Sequence, residues 1–344
     1  MSFFRRLITK IFQWEYWPMW VFYFPTNFYF IWLAIKERSF FFFSSSNPTI
    51  DFGGMIGEKK SEIFNLIPQE YYPKTILIDD HSADDLKQVG LSVGYPLVAK
   101  PDIGERGNGV EVIRTEEDLL KYRSDMPVPF LAQEFANYPV ELGVFYVRKP
   151  SEAMGKVTSI VQKKLLSVTG DGESTVRELM KSQIRASLQV DFEHERLTHL
   201  LDKVPIVGEE IVVEEIGNHC RGTKFLDATC QADAHLNEAF DRLAKQIDGF
   251  YYGRFDLKCR SFDDLRELRH FKIVELNGCG AEPAHIYQPG FSLMKAYRVV
   301  WGHFKWMAEV SRENKKLGTP YLTTRQGLKK LADLRAYNKQ LRSA

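Results

Sequence analysis

The chain has 344 residues, which is enough to bury a full hydrophobic core and predicts two or three subdomains. Its net charge of +1 conceals two basic ends, because residues 1–43 carry +3 and residues 311–344 carry +7. The middle of the chain is therefore acidic, which argues against a basic groove for nucleic acid. The four cysteines form no Cys-x-x-Cys pair and no zinc spacing, a pattern typical of reduced thiols in a cytoplasmic protein.

The N-terminal segment is unusually aromatic. Residues 1–43 contain 18 of the 46 aromatic residues of the chain. Their apolar run at 19–35 is barely long enough to span a membrane, and we expect Pro25-Thr26-Asn27 to break it near the middle. Because Trp and Tyr favour the headgroup region and the segment is cationic, we expect residues 1–46 to lie peripherally on the inner face of a membrane. The alternatives are packing against the rest of the chain, a homodimer interface, or a true membrane span.

Residues 47–90 are predicted to lead into the main body of the protein. They begin with a loop and continue with a short helix at about 59–67, a strand at 73–78 and a helix at 82–89. The last helix has an acidic first turn, and we expect Ser82 to cap it.

An apolar strand at residues 95–99 ends at Lys100, and a glycine-rich loop follows at once. The lysine offers a point charge for phosphate, and Gly104, Gly107 and Gly109 allow backbone N–H groups to approach phosphate oxygens. The loop lacks the Gly-Lys-Ser/Thr of a Walker motif, and its glycine order differs from the dinucleotide-binding fingerprint. The sequence therefore predicts a phosphate-binding loop of another kind.

The next strands are predicted at 130–135, where the chain reaches a hinge, and in a hairpin formed by residues 142–147 and 157–163. The second hairpin strand ends in two lysines, Lys163 and Lys164. Because successive residues of a strand point to opposite faces, only one of them can face a binding site, and we favour Lys163.

Two later strands carry oxygen ligands. Arg254 and Asp256 lie on one of them, and Glu275 and Asn277 lie on the other. Glu275 and Asn277 share a face of their strand, and Asp256 can meet them from its neighbour. Mg²⁺ prefers oxygen ligands and completes its shell with phosphate oxygens and water, so the pattern predicts a divalent cation that bridges to a polyphosphate.

In this order, the motifs resemble the ATP-grasp superfamily over residues 55–304. The chain looks most like its carboxylate–amine ligases, such as D-alanine–D-alanine ligases, and residues 168–179 are similar to a Gly-Asp-Gly-x-Ser-Thr segment of cyanophycin synthetases. The resemblance implies an α+β fold in which two α+β subdomains clamp ATP between antiparallel sheets. Residues 91–170 would form the subdomain with the glycine loop and hinge, residues 171–307 the subdomain with the metal site, and residues 308–344 a basic helical tail.

The resemblance also implies how ATP is held. The hinge backbone of Glu134 and Phe135 would read the adenine edge, and the Glu141 carboxylate would accept hydrogen bonds from the ribose hydroxyls. The expected phosphate contacts are Lys59 or Lys60, Lys100, Gly104, Arg106, Gly107, Gly109 and Lys163.

For the chemistry, the resemblance implies one or two Mg²⁺ or Mn²⁺ ions on Asp256, Glu275 and Asn277. Arg254 would stabilise the transferring phosphoryl oxygens, and Arg221 would bind the acyl phosphate or a substrate carboxylate. Two histidines, His219 and His285, lack an adjacent acid–base partner in the sequence, and we interpret them as structural.

The expected function is an ATP- and Mg²⁺-dependent ligase that joins a carboxylate to an amine or a thiol through an acyl phosphate. The alternatives are a regulatory or membrane-docking nucleotide-binding module without ligase activity, and an ATP-grasp phosphotransferase. The chain departs from the family at its N-terminus, because the aromatic segment is too short to be the usual Rossmann-like substrate domain. Which carboxylate and which amine it would use is therefore open.

Overall fold

The computed structural model describes residues 3–79, 83–105, 107–192 and 197–342 of the chain. Two predicted features, the Ser82 cap and Arg106, lie outside these ranges. Every strand pair in the described residues is antiparallel and helices cover the sheets, which confirms the predicted α+β class.

The described strands are β1 (Thr75–Ile78), β2 (Leu97–Pro101), β3 (Glu111–Ile113), β4 (Phe130–Glu134), β5 (Val140–Val147), β6 (Lys156–Lys164), β7 (Ser167–Thr169), β8 (Glu210–Val212), β9 (Lys224–Asp227), β10 (Tyr252–Cys259) and β11 (Phe271–Asn277). The described helices are α1 (Phe3–Phe12), α2 (Met19–Glu37), α3 (Lys60–Phe64), α4 (Ala83–Val93), α5 (Glu116–Asp125), α6 (Val176–Ser182), α7 (Ile184–Gln189), α8 (Thr198–Leu201), α9 (Ala234–Lys245), α10 (Phe262–Arg266), α11 (Leu293–Lys316) and α12 (Thr324–Arg342).

The smaller sheet has the strand order β1-β4-β2-β3 and packs one face against α4 and α5. The side chains of β2 alternate between the two faces of this sheet. Leu97 and Ala99 are buried in the core with the helices, whereas Val98 and Lys100 point to the opposite face. The sheet therefore presents Lys100 on the side away from its helices.

The larger sheet has the order β11-β10-β5-β6-β9, and its apolar face packs against α9. Phe255 and Leu257 of β10 lie in this core, so Arg254 and Asp256 lie on the opposite face. The sheet contains β5 and β6 as well as the predicted metal-binding strands, so it crosses the predicted subdomain boundary at residue 170. Pairing between strands distant in sequence sets this arrangement, and local sequence patterns do not report it.

A third unit follows β6. The strands β7 and β8 pair with each other, and their apolar side chains pack with those of α6, α7 and α8. Residues 171–178 form a turn followed by a capped helix start, because Asp171 accepts hydrogen bonds from Ser174 and because Thr175 forms a capping box with Glu178.

The N-terminal segment forms α1 and α2, and α2 packs against α11 through Leu33 and Ala34. Pro25 does not interrupt α2, contrary to the expected break. The cost of an internal proline is about 3 kcal/mol, and burial of Phe22, Leu33 and Ala34 against the body offsets it. Among the described residues, no helix is both long and apolar enough to cross a membrane.

Candidate active site

A cleft of about 1610 Å³ lies between the two main sheets and is also bordered by α2 and the glycine loop. It brings together most of the site residues predicted from the sequence. Lys59 and Arg221 are not on its lining. The predicted residues that do line it are Lys100, Gly104, Gly107, Gly109, Glu134, Phe135, Glu141, Lys163, Arg254, Asp256, Glu275 and Asn277.

Lys100 is buried at the end of β2. Its Nζ donates to Gln133 Oε1 at 2.8 Å and to the Val274 carbonyl at 2.8 Å, so both acceptors are uncharged. The second contact links the two sheets across the cleft. Val274 lies at the bulge beside Asp256, where the register gives it no partner on β10. Burial lowers the pKa of Lys100 to about 7, although Glu275 acts in the opposite direction. Lys100 is thus a desolvated lysine that an anion would stabilise in its charged form.

Two neighbouring lysines at the start of α3, Lys59 and Lys60, differ in exposure and in their contacts. Lys60 lines the cleft, donates from Nζ to the Gly104 carbonyl at 2.6 Å and lies 3.8 Å from Glu275 Oε1. Lys59 is half-exposed and pairs with Glu62 at 3.1 Å. The carboxylate of Asp102 sets this register, because it accepts from both the backbone N–H and the hydroxyl of Ser61 and fixes the start of α3. The structure therefore brings Lys60, rather than Lys59, to the cleft.

The glycine loop is held over the cleft by Arg221. The guanidinium donates to the carbonyls of Gly107 at 2.5 Å and Val110 at 3.2 Å and also contacts Glu214. Gly107 and Gly109 have φ values of +72° and +67°, a backbone conformation that favours glycine. The expected contact of Arg221 with an acyl phosphate is thus not what the structure presents, since this guanidinium is engaged with backbone carbonyls and Glu214 outside the cleft lining.

At the hinge, Glu134 and Phe135 both line the cleft. The backbone N–H of Glu134 donates to the Lys74 carbonyl at 2.8 Å, so it is not free to bind a nucleobase. The ring of Phe135 lies 4.7 Å from Lys258 Nζ. An adenine-sized ring at the hinge would therefore meet an aromatic side chain and a cation as well as backbone groups.

The larger sheet presents a buried ionic cluster. Lys163 Nζ lies 3.1 Å from Glu141 Oε1 and 3.7 Å from Asp256 Oδ1, and Lys258 lies 3.9 Å from Glu141 Oε2. Burial would lower the pKa of Lys163, but Asp256 and Glu141 raise it. Lys164 is exposed on the other face, as alternation requires. Glu141, expected to bind ribose, is paired with two lysines within the cleft.

Beside this cluster, Arg254 donates from Nε and Nη2 to both carboxylate oxygens of Asp256, at 2.9 and 3.0 Å. Asn277 donates to Asp256 Oδ2 at 3.2 Å. Burial would raise the pKa of Asp256, but Arg254 and Lys163 hold it below its ordinary value. Arg254 is opposite Asn277 and Asp256 is opposite Glu275 in the strand register, so the four side chains share one face as the sequence predicts.

This donor set fits a hard divalent cation that is shared with phosphate. Among the described residues, no three His, Cys, Asp or Glu side chains form a metal cage, but Mg²⁺ needs only one or two carboxylates when phosphate oxygens and water complete its shell. Glu275 is the accessible carboxylate, with 35% of its side chain exposed. Glu58, which the sequence analysis missed, lines the cleft with a buried Oε2 that has no hydrogen-bond partner. Burial raises the pKa of Glu58, and the nearby Glu105 and Glu275 add to the effect.

The N-terminal helices form a wall of the same cleft. Tyr23 of α2 donates a hydrogen bond to Glu282, which also accepts from Tyr287 at 3.2 Å. Met19, Asn27 and other inward side chains of this segment border the cavity. No local pattern in the sequence predicts this role, because an aromatic segment is expected both where a helix faces lipid and where it packs against protein.

Neither histidine singled out in the sequence has the geometry of a general base. His219 lies on the cleft lining but is 3.6 Å from Glu15, which is itself paired with Arg185. His285 is buried, and burial lowers its pKa.

Neither a protein-family model nor a curated protein matches the chain. It is similar to solved structures of a bifunctional glutathione synthetase from Pasteurella multocida (16% identity, TM-score 0.37, 72% of this chain) and a D-alanine–D-alanine ligase from Bacillus anthracis (13%, 0.41, 76%). The chain spans 36% of the first protein and 69% of the second. The second belongs to an enzyme class that the sequence resembles. At such identities and TM-scores the likeness does not indicate an activity. Any function must therefore be inferred from the residues of the cleft.

Proposed function

We propose that the protein is an ATP-grasp ligase that uses ATP and Mg²⁺ or Mn²⁺ to join a carboxylate to an amine or a thiol through an acyl phosphate. The observation that carries the proposal is a single cleft in which Lys100 and Lys163 face each other from two sheets and meet Asp256 and Glu275. Lys100 is buried, and the Lys163 side chain is only 9% exposed. Buried lysines match the charge of a polyphosphate, and a divalent cation links its oxygens to carboxylates.

The reaction has two steps. A carboxylate oxygen of the first substrate attacks the γ-phosphorus of ATP, the bond to the β–γ bridging oxygen breaks, and ADP leaves. The nitrogen or sulfur of the second substrate then attacks the acyl carbon, phosphate leaves, and the nucleophile loses a proton. Both steps depend on alignment and on neutralisation of phosphate charge rather than on a covalent enzyme intermediate.

The side chains of the cleft divide this work. Lys100 and Lys163 would neutralise phosphate oxygens from opposite sheets, and Arg254 would lie beside the transferring group. Glu275, with Asp256 and Asn277, would hold Mg²⁺, which when bound neutralises charge on the phosphate oxygens. The glycine loop would cover the phosphates, and Arg221 would act on them only indirectly, by holding that loop through its contact with Gly107.

One observation favours a second candidate, a nucleotide-binding module without ligase activity. Both carboxylate oxygens of Asp256 already accept hydrogen bonds from Arg254, and Asn277 donates to the same group. If this pairing persists when ATP binds, Glu275 is the one carboxylate of this set left to hold a cation, which is the minimum that Mg²⁺ needs beside phosphate oxygens and water. A cation held at this minimum favours binding of ATP over transfer of the γ-phosphate.

The test is product analysis with the whole 344-residue chain. Purified protein is incubated with ATP, Mg²⁺ and pooled amino acids, peptides and lipid extracts, and products are identified by mass spectrometry while released phosphate and ADP are measured. Glu275→Gln is the inactive variant, and Lys164→Ala is the matched control. A ligated product with equimolar ADP and phosphate supports the proposal. A phosphorylated acceptor would identify a phosphotransferase, and ATP binding without ADP formation would identify the non-catalytic module.

The predicted location on a membrane surface is a separate question, because it depends on the outward side of the N-terminal helices rather than on the cleft.

A further inference from the structure

The two N-terminal helices expose large apolar side chains to solvent. Phe12 is 79% exposed and Trp20 is 74% exposed, whereas side chains of this size are ordinarily buried. We refer to this set as the outer face. Its members are Phe4, Leu7, Ile8, Ile11 and Phe12 of α1 and Trp20, Phe24, Phe28, Ile31, Trp32 and Ile35 of α2.

The outer face follows the helical repeat. Trp20, Phe24, Phe28, Ile31 and Ile35 recur at intervals of three or four residues, which aligns them along one side of α2. The other side of the helix is already used by the protein. There Phe22, Leu33 and Ala34 are buried in the core, and Tyr23 borders the cleft. Packing against the body thus accounts for only one side of α2.

The charged residues of this segment are also divided between a buried and an exposed side. Its two acidic residues, Glu15 and Glu37, point inward and are buried. Glu15 pairs with Arg185 at 2.5 Å, and Glu37 accepts hydrogen bonds from Arg312 and from Tyr321. The cations Lys36 and Arg38 are exposed at the C-terminal end of α2. Lys10 of α1 is also exposed, but it borders the cleft rather than the outer face. Within the described part of residues 3–43, the solvent side therefore carries apolar and cationic groups and no carboxylate.

We propose that the outer face docks on an anionic lipid surface. Such a surface has negative headgroups, which would pair with the exposed cations, above an apolar layer, which would take up the exposed apolar side chains. Trp is favoured at the boundary between the two. Lys36 Nζ lies 5.2 Å from the centre of the Trp32 ring, so cationic and aromatic groups are close together. A second copy of the chain fits less well, because a two-fold contact between outer faces would juxtapose their cations, and the described carboxylates of residues 3–43 are both buried.

The position of α2 gives this docking a consequence. The helix separates the outer face from the cleft, since Met19, Tyr23 and Asn27 border the cavity on its inner side. A lipid surface on the outer face would therefore lie about one helix diameter, ~10 Å, from the cleft lining.

The test is flotation of the whole 344-residue chain with vesicles of phosphatidylcholine alone or mixed with phosphatidylserine. One variant, Trp20→Ser/Phe24→Ser/Ile35→Ser, removes apolar groups of the outer face. A second, Lys36→Glu/Arg38→Glu, reverses charge. The matched control is Val204→Ser/Ile206→Ser/Val207→Ser, because these residues are also exposed and apolar but lie in the turn before β8. Melting temperature and ATP binding report whether each variant folds, independently of ligase activity.

We expect wild type and the control triple variant to float with anionic vesicles. The apolar variant should lose binding, and the charge variant should bind about tenfold or more weakly, because each basic residue near an anionic surface contributes about 1 kcal/mol. Part of the wild-type binding should persist in high salt, because screening acts only on the charges. Two results would overturn the proposal. One is equal loss in the control, which indicates non-specific adsorption. The other is no flotation at low salt together with a dimer that the apolar variant dissociates, which assigns the face to a second copy.

Discussion

Lys100 and Lys163 are both buried lysines that face the same cleft, but they come from opposite sheets and have opposite electrostatic surroundings. Lys163 lies between Glu141 and Asp256, and these carboxylates raise its pKa against the effect of burial. Lys100 is held by the neutral acceptors Gln133 and Val274, and burial lowers its pKa to about 7. Lys163 on the larger sheet is therefore paired with carboxylates, which would share it with a phosphate. Lys100 on the smaller sheet donates to neutral acceptors and would gain an anionic partner from a phosphate.

The largest expected effect is at Glu275, the carboxylate that acts on Lys100 from across the cleft. Glu275→Gln should reduce ATP turnover by about 100-fold or more, because a metal ligand contributes several kcal/mol of charge stabilisation to phosphoryl transfer. Circular dichroism should be unchanged, because this side chain is partly exposed. Turnover at the wild-type rate in the folded variant would remove the metal assignment.

The second largest expected effect distinguishes Lys100, which would pair with phosphate, from Lys164, which faces solvent. Lys100→Ala should weaken ATP binding by about 1–3 kcal/mol, the scale of a charge-assisted hydrogen bond. Lys164→Ala should leave the affinity within about 0.5 kcal/mol of wild type, because Lys164 is exposed on the opposite side of its strand. Calorimetry that gives the two variants equal affinity would contradict the assignment of Lys100 to phosphate.

The smallest effect concerns how the smaller sheet's loop is supported. Lys60→Ala removes the hydrogen bond to the Gly104 carbonyl and should weaken ATP binding by about 1 kcal/mol. Lys59→Ala removes only a surface ion pair with Glu62 and should change the affinity by less than about 0.5 kcal/mol. If titrations show the larger loss for Lys59→Ala, the register of α3 is misassigned.

Strand alternation was sufficient to predict the main features of this site from the sequence. It predicted that Glu275 and Asn277 share a face and that Asp256 meets them from the next strand, and the register confirms this arrangement. It also predicted that only one of Lys163 and Lys164 faces inward, because successive side chains of a strand point to opposite faces whatever the rest of the fold.

What the sequence could not supply depends on contacts between distant segments. Lys60 reaches the cleft because Asp102 fixes the start of α3, and Arg221 is engaged by carbonyls of a loop more than one hundred residues away. Pro25 was expected to break a helix, yet tertiary packing keeps α2 continuous. Glu58 has no motif around it, and only its burial without a hydrogen-bond partner identifies it.

The central claim is that Lys100 becomes charged when the cleft binds the phosphates of ATP. With a pKa of about 7, free Lys100 is mostly neutral at pH 8. A bound phosphate favours the protonated form, so the pKa rises and ATP binding takes up a proton. Because binding takes up a proton, ATP affinity should fall as pH rises above 7.

The direct measurement is calorimetry of ATP binding at pH 8 in two buffers with different ionisation enthalpies, which gives the number of protons taken up. Wild type should take up about one proton more than Lys100→Met. Equal proton uptake by the two proteins would contradict the claim that Lys100 gains its charge from the phosphates of ATP.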